Sequence, residues 1–259
     1  MKKHFCEELI NNASYKQNNI KNAVIENFLK MDEVIVESAG KIELRNEARL
    51  SKEEDEKTGE KNEKNKQMDM YRQLFDPRTK EDCDIAMYTG CTACVCIIEG
   101  DKIYCANAGD SRAVLCKNGV AYPLSMDHKP ELESEKNRIY KAEGWVTDGR
   151  VKGIKQFNIG NLNLSRSLGD LEYKQNKKLT PQEQMITAYP DVICENLTSD
   201  CDFLIIGCDG VWDCKTNQEA CDFVTERLKK NPNMKLSKIV EELFDEICAP
   251  DIYTGYNNF

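Results

Sequence analysis

Three aspartates stand where the chain is expected to turn. Asp209 follows the apolar run Phe203-Leu204-Ile205-Ile206 and the pair Gly207-Cys208, and Asp213 comes four residues later. Asp110 lies in a second turn, ANAGDSR at 106–112. Side chains at strand ends project from a rigid scaffold, which is where catalytic groups commonly lie. Carboxylates that converge repel one another and are stable together mainly around a hard cation. Oxygen-only donors of this kind suit Mg²⁺ or Mn²⁺. Gly210, next to Asp209, would let backbone approach closely. On spacing alone the plainer account is favoured, in which each aspartate caps its own turn. Composition does not decide between the two.

The elements that must position these residues follow from the hydrophobic pattern. The run ending in Asp209 reads as a buried strand, too apolar for an edge. From Tyr88 onward, CTACVCIIEGDKIYCANAGDSRAVLCKNGVAYPL reads as an antiparallel meander of β-rich runs, with Asn118-Gly119 a strong hairpin signal. Residues 2–36 read as helical in two runs, one carrying Phe5, Leu9 and Ile10 and the other Val24, Ile25, Phe28 and Leu29, separated by 11–19. Helices are also expected over 131–143, ended by Gly144, and over 216–229 and 235–248, with a loop-rich stretch over 144–180. Helices, then strands, then helices suggest layers of antiparallel sheet and helix, not a βαβ repeat.

Composition narrows the function classes. The chain has 259 residues, a net charge of −9 and a pI near 5.0. That balance argues against nucleic acid and anionic membrane as partners. No stretch approaches the roughly 18 apolar residues of a membrane helix, and MKKHFCEELI has no signal-peptide core. A cytoplasmic or nuclear location is expected. The 13 cysteines then read as free thiols in a reducing compartment. Cys91 and Cys94 form a C-x-x-C, but no second pair or nearby His makes it a zinc site. Residues 41–66 are mostly charged, acid and base nearly balanced. This segment cannot bury enough surface to offset its ordering entropy, so 37–80 is expected to be a mobile, solvated insertion in a single domain spanning 1–259.

Seven motifs, in order, resemble one family. GCTA (90–93), ANAGDSR (106–112), DHKP (127–130), DGRVKG (148–153), LNLSRSLGD (162–170), PQEQMITAYPDV (181–192) and CDGVWD (208–213) are similar to those of the metal-dependent protein phosphatases, the protein phosphatase 2C or PPM family. The gamma-type enzymes are a particular likeness. They share NLSR, PQEQMI and the IVEELFDEICAPD helix, and they carry a charged insertion before GCTA, which is shorter and less acidic here. The resemblance implies an α+β fold, a four-layer α-β-β-α sandwich of two antiparallel sheets flanked by helices. It implies two Mg²⁺ or Mn²⁺ ions that activate a water to attack phosphoserine or phosphothreonine in a protein substrate. By position, Asp209 would be the ligand shared by both ions, and Asp110 and Asp213 would join it at a weaker third-metal site. Residues from Asp127 to about Asn161 would be the flap beside the active site, with Asp127, His128 and Arg150 in its motifs. The stretch KGIKQFNIGN is longer than the usual flap turn.

The departures bear on catalysis. The family's phosphate-binding basic residue, its first Glu and its Asp-Gly-His-Gly-Gly segment, which brings a metal ligand and a general-acid His, have no counterpart in these 259 residues. Asn257 stands where the family's last metal-binding Asp is expected, and its amide is a neutral ligand. The resemblance thus implies a sandwich incomplete at both ends, with no intact catalytic set and no efficient hydrolysis. The alternative is a non-catalytic pseudophosphatase that serves as a binding or structural subunit, its partner supplying strands to open sheet edges.

Overall fold

The computed structural model describes residues 2–37, 85–153 and 162–248. Most of the charged insertion at 37–80, most of KGIKQFNIGN and Asn257 lie outside the described residues. The chain divides into two compact units, one drawn from residues 1–93 and 128–191 and the other from 94–127 and 192–259.

The first unit opens with helices α1 (Lys2–Asn11), α2 (Ala13–Lys16) and α3 (Ile20–Val36). Two asparagines punctuate them. The Asn12 side chain accepts from Tyr15 N at the start of α2, and Asn19 does the same for Asn22 N at the start of α3, each satisfying an amide the helix leaves unpaired. Along α3, Ile20, Ala23, Val24, Phe28, Met31 and Ile35 are buried, the i, i+3, i+4 stripe that drives a helix onto a core. Phe28 meets Phe5 edge-on at 5.5 Å. A 3₁₀ turn at Ile85–Tyr88 leads to β1 (Gly90–Cys91), which pairs with β8 (Leu168–Gly169). The unit also holds α4 (Glu133–Lys141), the hairpin β6 (Trp145–Thr147) and β7 (Arg150–Lys152), and a 3₁₀ turn at Leu171–Tyr173.

The second unit carries two three-stranded sheets. One has the order β2 (Ala93–Glu99), β3 (Lys102–Ala108), β9 (Asp191–Asn196). The other has the order β10 (Cys201–Gly207), β4 (Arg112–Lys117), β5 (Val120–Pro123). The expected single meander is therefore corrected. β2–β3 and β4–β5 are hairpins, but the turn at Gly109-Asp110-Ser111 passes the chain from one sheet to the other. Gly109 makes that turn at φ 120°, a backbone conformation that side-chain-bearing residues rarely adopt. Asn118 and Gly119, both with positive φ, close the β4–β5 hairpin as expected.

A second correction concerns β10. It is not central: among the described residues it ends its strand order, and Ile206 is 48% exposed. Apolar character does not require a central place. Phe203 and Ile205 pack on one core cluster with Val114, Trp212 and Phe223, while Leu204 packs on another with Ile103 and Leu115. Packing on both faces accounts for the run of apolar residues without a second neighbouring strand. Helices α5 (Asp209–Trp212), α6 (Asn217–Lys230) and α7 (Leu236–Ile247) follow. The Thr216–Glu219 capping box starts α6.

Candidate functional site

The ladder between β10 and β4 decides where the aspartates go. The strands are antiparallel and Gly207 is the partner of Arg112. Asp209 lies two residues beyond Gly207, and Asp110 lies two residues before Arg112. Both therefore leave the sheet at the same end. Asp209 begins α5, and Asp213 N donates to its carbonyl at 2.8 Å, which holds Asp213 one turn further on. Asp213 is near enough to Arg112 to help raise its pKa, behind the larger effect of the Asp127 hydrogen bonds. The three aspartates expected to converge thus share one end of one sheet.

Sharing an end is not forming a cage. Asp110 is 4% exposed, whereas Asp213 is exposed at the surface. Among the described residues no three His, Cys, Asp or Glu side chains form a group that could hold a metal ion. The donor chemistry suits Mg²⁺ or Mn²⁺, but the arrangement does not fit a preformed centre. The expectation for Gly210 also changes. A Cβ there would meet only Cys208 Sγ at 3.7 Å, an ordinary contact. The close approach is at Gly207, where a Cβ would sit 3.2 Å from Val211 Cγ2, and where the carbonyl accepts from Trp212 Nε1 at 2.8 Å. α5 folds back onto the strand end, and that return fixes Asp209.

Arg112 is the residue that sequence reasoning missed. Its Nε and Nη2 donate to both Asp127 carboxylate oxygens at 2.8 Å, its Nη1 donates to Asn217 Oδ1 at 2.7 Å, and its guanidinium lies over the Trp212 ring at 5.2 Å. One planar fork thus ties β4 to the loop after β5, to α5 and to the start of α6. The Asn107 amide donates to the carbonyls of Gly109 and Met126, both at 3.0 Å, and so braces the turn that carries Asp110. The signal was the Arg two residues after Asp110 in GDSR; nothing local announces its partners.

Two of the residues expected in the flap, Asp127 and His128, are held by internal ion pairs. Asp127 is committed to Arg112. His128, 3% exposed, has Nε2 at 3.1 Å from Asp191 Oδ2. Arg166 Nη1 donates to Asp191 Oδ1 at 2.8 Å, and its Nη2 donates to Glu135 Oε1 at 2.7 Å. Glu135 also accepts from Arg138 Nη1 and Ser165 Oγ, both at 2.7 Å. Burial pushes the Glu135 carboxyl up, but Arg166, Arg138 and Ser165 outweigh it and hold it at about 2. The Asp191 carboxyl is held below the usual range by His128 first, against its burial, and then by Arg166. Arg150 lies on β7, paired with Thr147 in its hairpin. GCTA and SRSLGD meet where Gly90 pairs with Gly169. A Cβ on Gly90 would lie 2.2 Å from Asp170 Oδ2, so any side chain there requires the Asp170 carboxylate to move. Asp170 itself stands at φ 48° and accepts from Ser167 Oγ at 2.6 Å.

Comparison with known proteins agrees with these motifs. Residues 2–253 match the family model "Protein phosphatase 2C". The chain is 40% identical over 257 residues to "Probable protein phosphatase 2C 3" of Paramecium tetraurelia, covering 98% of this chain and 73% of that protein. It is 39% identical over 263 residues to "Probable protein phosphatase 2C 21" of Arabidopsis thaliana, covering 98% and 70%. A crystal structure titled serine-threonine phosphatase 2C from Toxoplasma gondii aligns with TM-score 0.50 at 22% identity, over 61% of this chain and 52% of that one. The chain thus spans about half the length of that solved structure, which is a likeness of fold. A family model over nearly the whole chain, with relatives near 40% identity along it, makes this chain a member of the protein phosphatase 2C family.

Proposed function

We propose that this chain is built on the plan of a Mg²⁺- or Mn²⁺-dependent protein serine/threonine phosphatase of gamma type, a single four-layer α-β-β-α domain acting on phosphoserine or phosphothreonine proteins in the cytoplasm or nucleus. We infer further that these 259 residues alone do not hydrolyse phosphoproteins efficiently. The observation that carries the reading is the sheet end shared by Asp110, Asp209 and Asp213, together with the lack of a three-donor group among the described residues. A divalent ion, where bound, supplies an activated water and a clamp on the phosphoryl group. Losing one preorganised charged group commonly costs about 10²–10³ in rate, and several are without counterpart here.

A second reading has its own support. β10 and β2 each end their strand orders among the described residues. Open edges suit a pseudophosphatase that binds a partner by strand addition. Turnover of a phosphothreonine peptide by the purified chain in Mn²⁺ separates the readings from full catalysis. The expected rate is at least about 10²-fold below that of a relative with all its motifs. A rate within the ordinary enzyme range of about 1–10³ per second would overturn the claim of weak hydrolysis.

A further inference from the structure

Three cysteines in the second unit meet across one hairpin. Cys94 and Cys96 are two residues apart on β2 and so point to the same face. Cys105 is on the neighbouring strand β3. Cys94 Sγ lies 3.9 Å from Cys105 Sγ, and Cys96 packs against the same apolar cluster. All three border the cluster of Ile103, Leu115 and Leu124. Cys105 is buried, while Cys94 and Cys96 are half-buried. The phosphatase chemistry proposed above uses none of them, and they do not form a metal-holding group.

We propose that Cys94, Cys96 and Cys105 form a peroxide-responsive thiol cluster that closes reversibly into a disulfide between Cys105 and either β2 cysteine. The geometry suits bond formation. Adjacent strands lie about 4.8 Å apart, and a disulfide needs its sulfurs about 2.05 Å apart. Rotation about χ1 therefore supplies most of the closure from 3.9 Å. The chemistry balances. The thiolate of Cys94 or Cys96 attacks one peroxide oxygen and breaks the O–O bond, giving a sulfenic acid and, after protonation, one water. The Cys105 thiol then attacks the sulfenic sulfur, forming S–S and releasing a second water. Two thiols are oxidised by two electrons and one hydrogen peroxide is reduced to two waters. The remaining β2 thiol can exchange into the bond, and a dithiol reductant restores the starting state. The β2 cysteines suit the first step because Cys94 and Cys96 are half-buried and within reach of a small oxidant, whereas Cys105 is buried behind them. A neighbour within reach captures the sulfenic acid before it climbs to the irreversible acids.

The pair Cys116 and Cys221 provides an internal contrast. They also interact, but both are fully buried, so a peroxide should not reach them.

Peptide mapping tests the proposal on the whole chain. The reduced protein is treated with hydrogen peroxide, blocked and digested with trypsin without reductant. Cleavage after Lys102 places Cys105 on a different peptide from Cys94 and Cys96. The expected product joins these peptides with a loss of about 2 Da for two hydrogens, is reversed by dithiothreitol, and leaves Cys116 and Cys221 reduced. Cys94→Ala and Cys96→Ala singly should each keep the link, their combination should abolish it, and Cys91→Ala should not affect it. A link that survives the double variant would overturn the proposal. So would a gain of about 32 Da on Cys96 with Cys105 still free. A sulfenic-acid trap on the unaltered chain gives an independent readout. It should miss Cys94 and Cys96 while labelling exposed Cys6 and Cys248, and labelling of Cys96 would count against capture.

Discussion

Arg112 and Glu135 each gather several partners around one charged side chain. The Arg112 fork holds Asp127 in two hydrogen bonds and reaches Asn217 and Trp212. Arg112→Lys keeps the charge but loses the fork, and should lower stability by about 2 kcal/mol in urea unfolding. Glu135 is 1% exposed within three favourable partners. Its folded pKa of about 2 lies below the unfolded 4.5. The stabilisation is therefore present above pH 4.5 and is lost as pH falls toward 2, amounting to about 3 kcal/mol at neutral pH. Glu135→Gln should flatten that acid limb and leave Arg138 without its carboxylate at pH 7, while Arg166 keeps Asp191. Glu172 has the opposite sign. Burial, then Asp170, raises it to about 7. Its stabilisation is present below pH 4.5 and is lost as pH rises through 7. Glu172→Gln should match the parent at pH 4 and be the more stable protein at pH 8.

At the scale of elements, the meeting of β1 and β8 is the tightest point. Gly90 faces the Asp170 carboxylate, and Gly169, at φ 77°, would put a Cβ 2.1 Å from the Thr89 carbonyl oxygen. Gly90→Ala should cost about 2 kcal/mol or more by overpacking. Adding Asp170→Gly should recover part of that loss, because it removes the clashing side chain and suits φ 48°. Measuring all four corners of that cycle by urea unfolding checks the contact. Such contacts mark the limit of what sequence discloses. The helices at 20–36, 217–230 and 236–247 were legible because hydrophobic periodicity is local. The turn at Asn118-Gly119 was legible for the same reason. The passage between sheets at Gly109-Asp110 was not, since strand partners are chosen by distant residues. The place of β10 at the end of its order was hidden likewise, because packing on two faces and centrality in a sheet give the same apolar run. Of the site, Asp110, Asp209 and Asp213 could be named from their turns. The binding of Asp127 by Arg112 and of His128 by Asp191 joins residues far apart in sequence and leaves no local trace.

For the molecule as a whole, one relation governs metal binding. The β10–β4 ladder brings three aspartates to one sheet end, yet the described residues make no three-donor group there. A protein of this family plan should then hold a divalent ion weakly through Asp209 and its neighbours. Binding of Mn²⁺ to the purified chain, followed by electron paramagnetic resonance and calorimetry, tests this most directly. The account predicts at most one weakly held Mn²⁺ per chain, lost in Asp209→Asn, with none of the spin coupling of a paired centre. Two tightly bound, coupled Mn²⁺ ions per chain would contradict it.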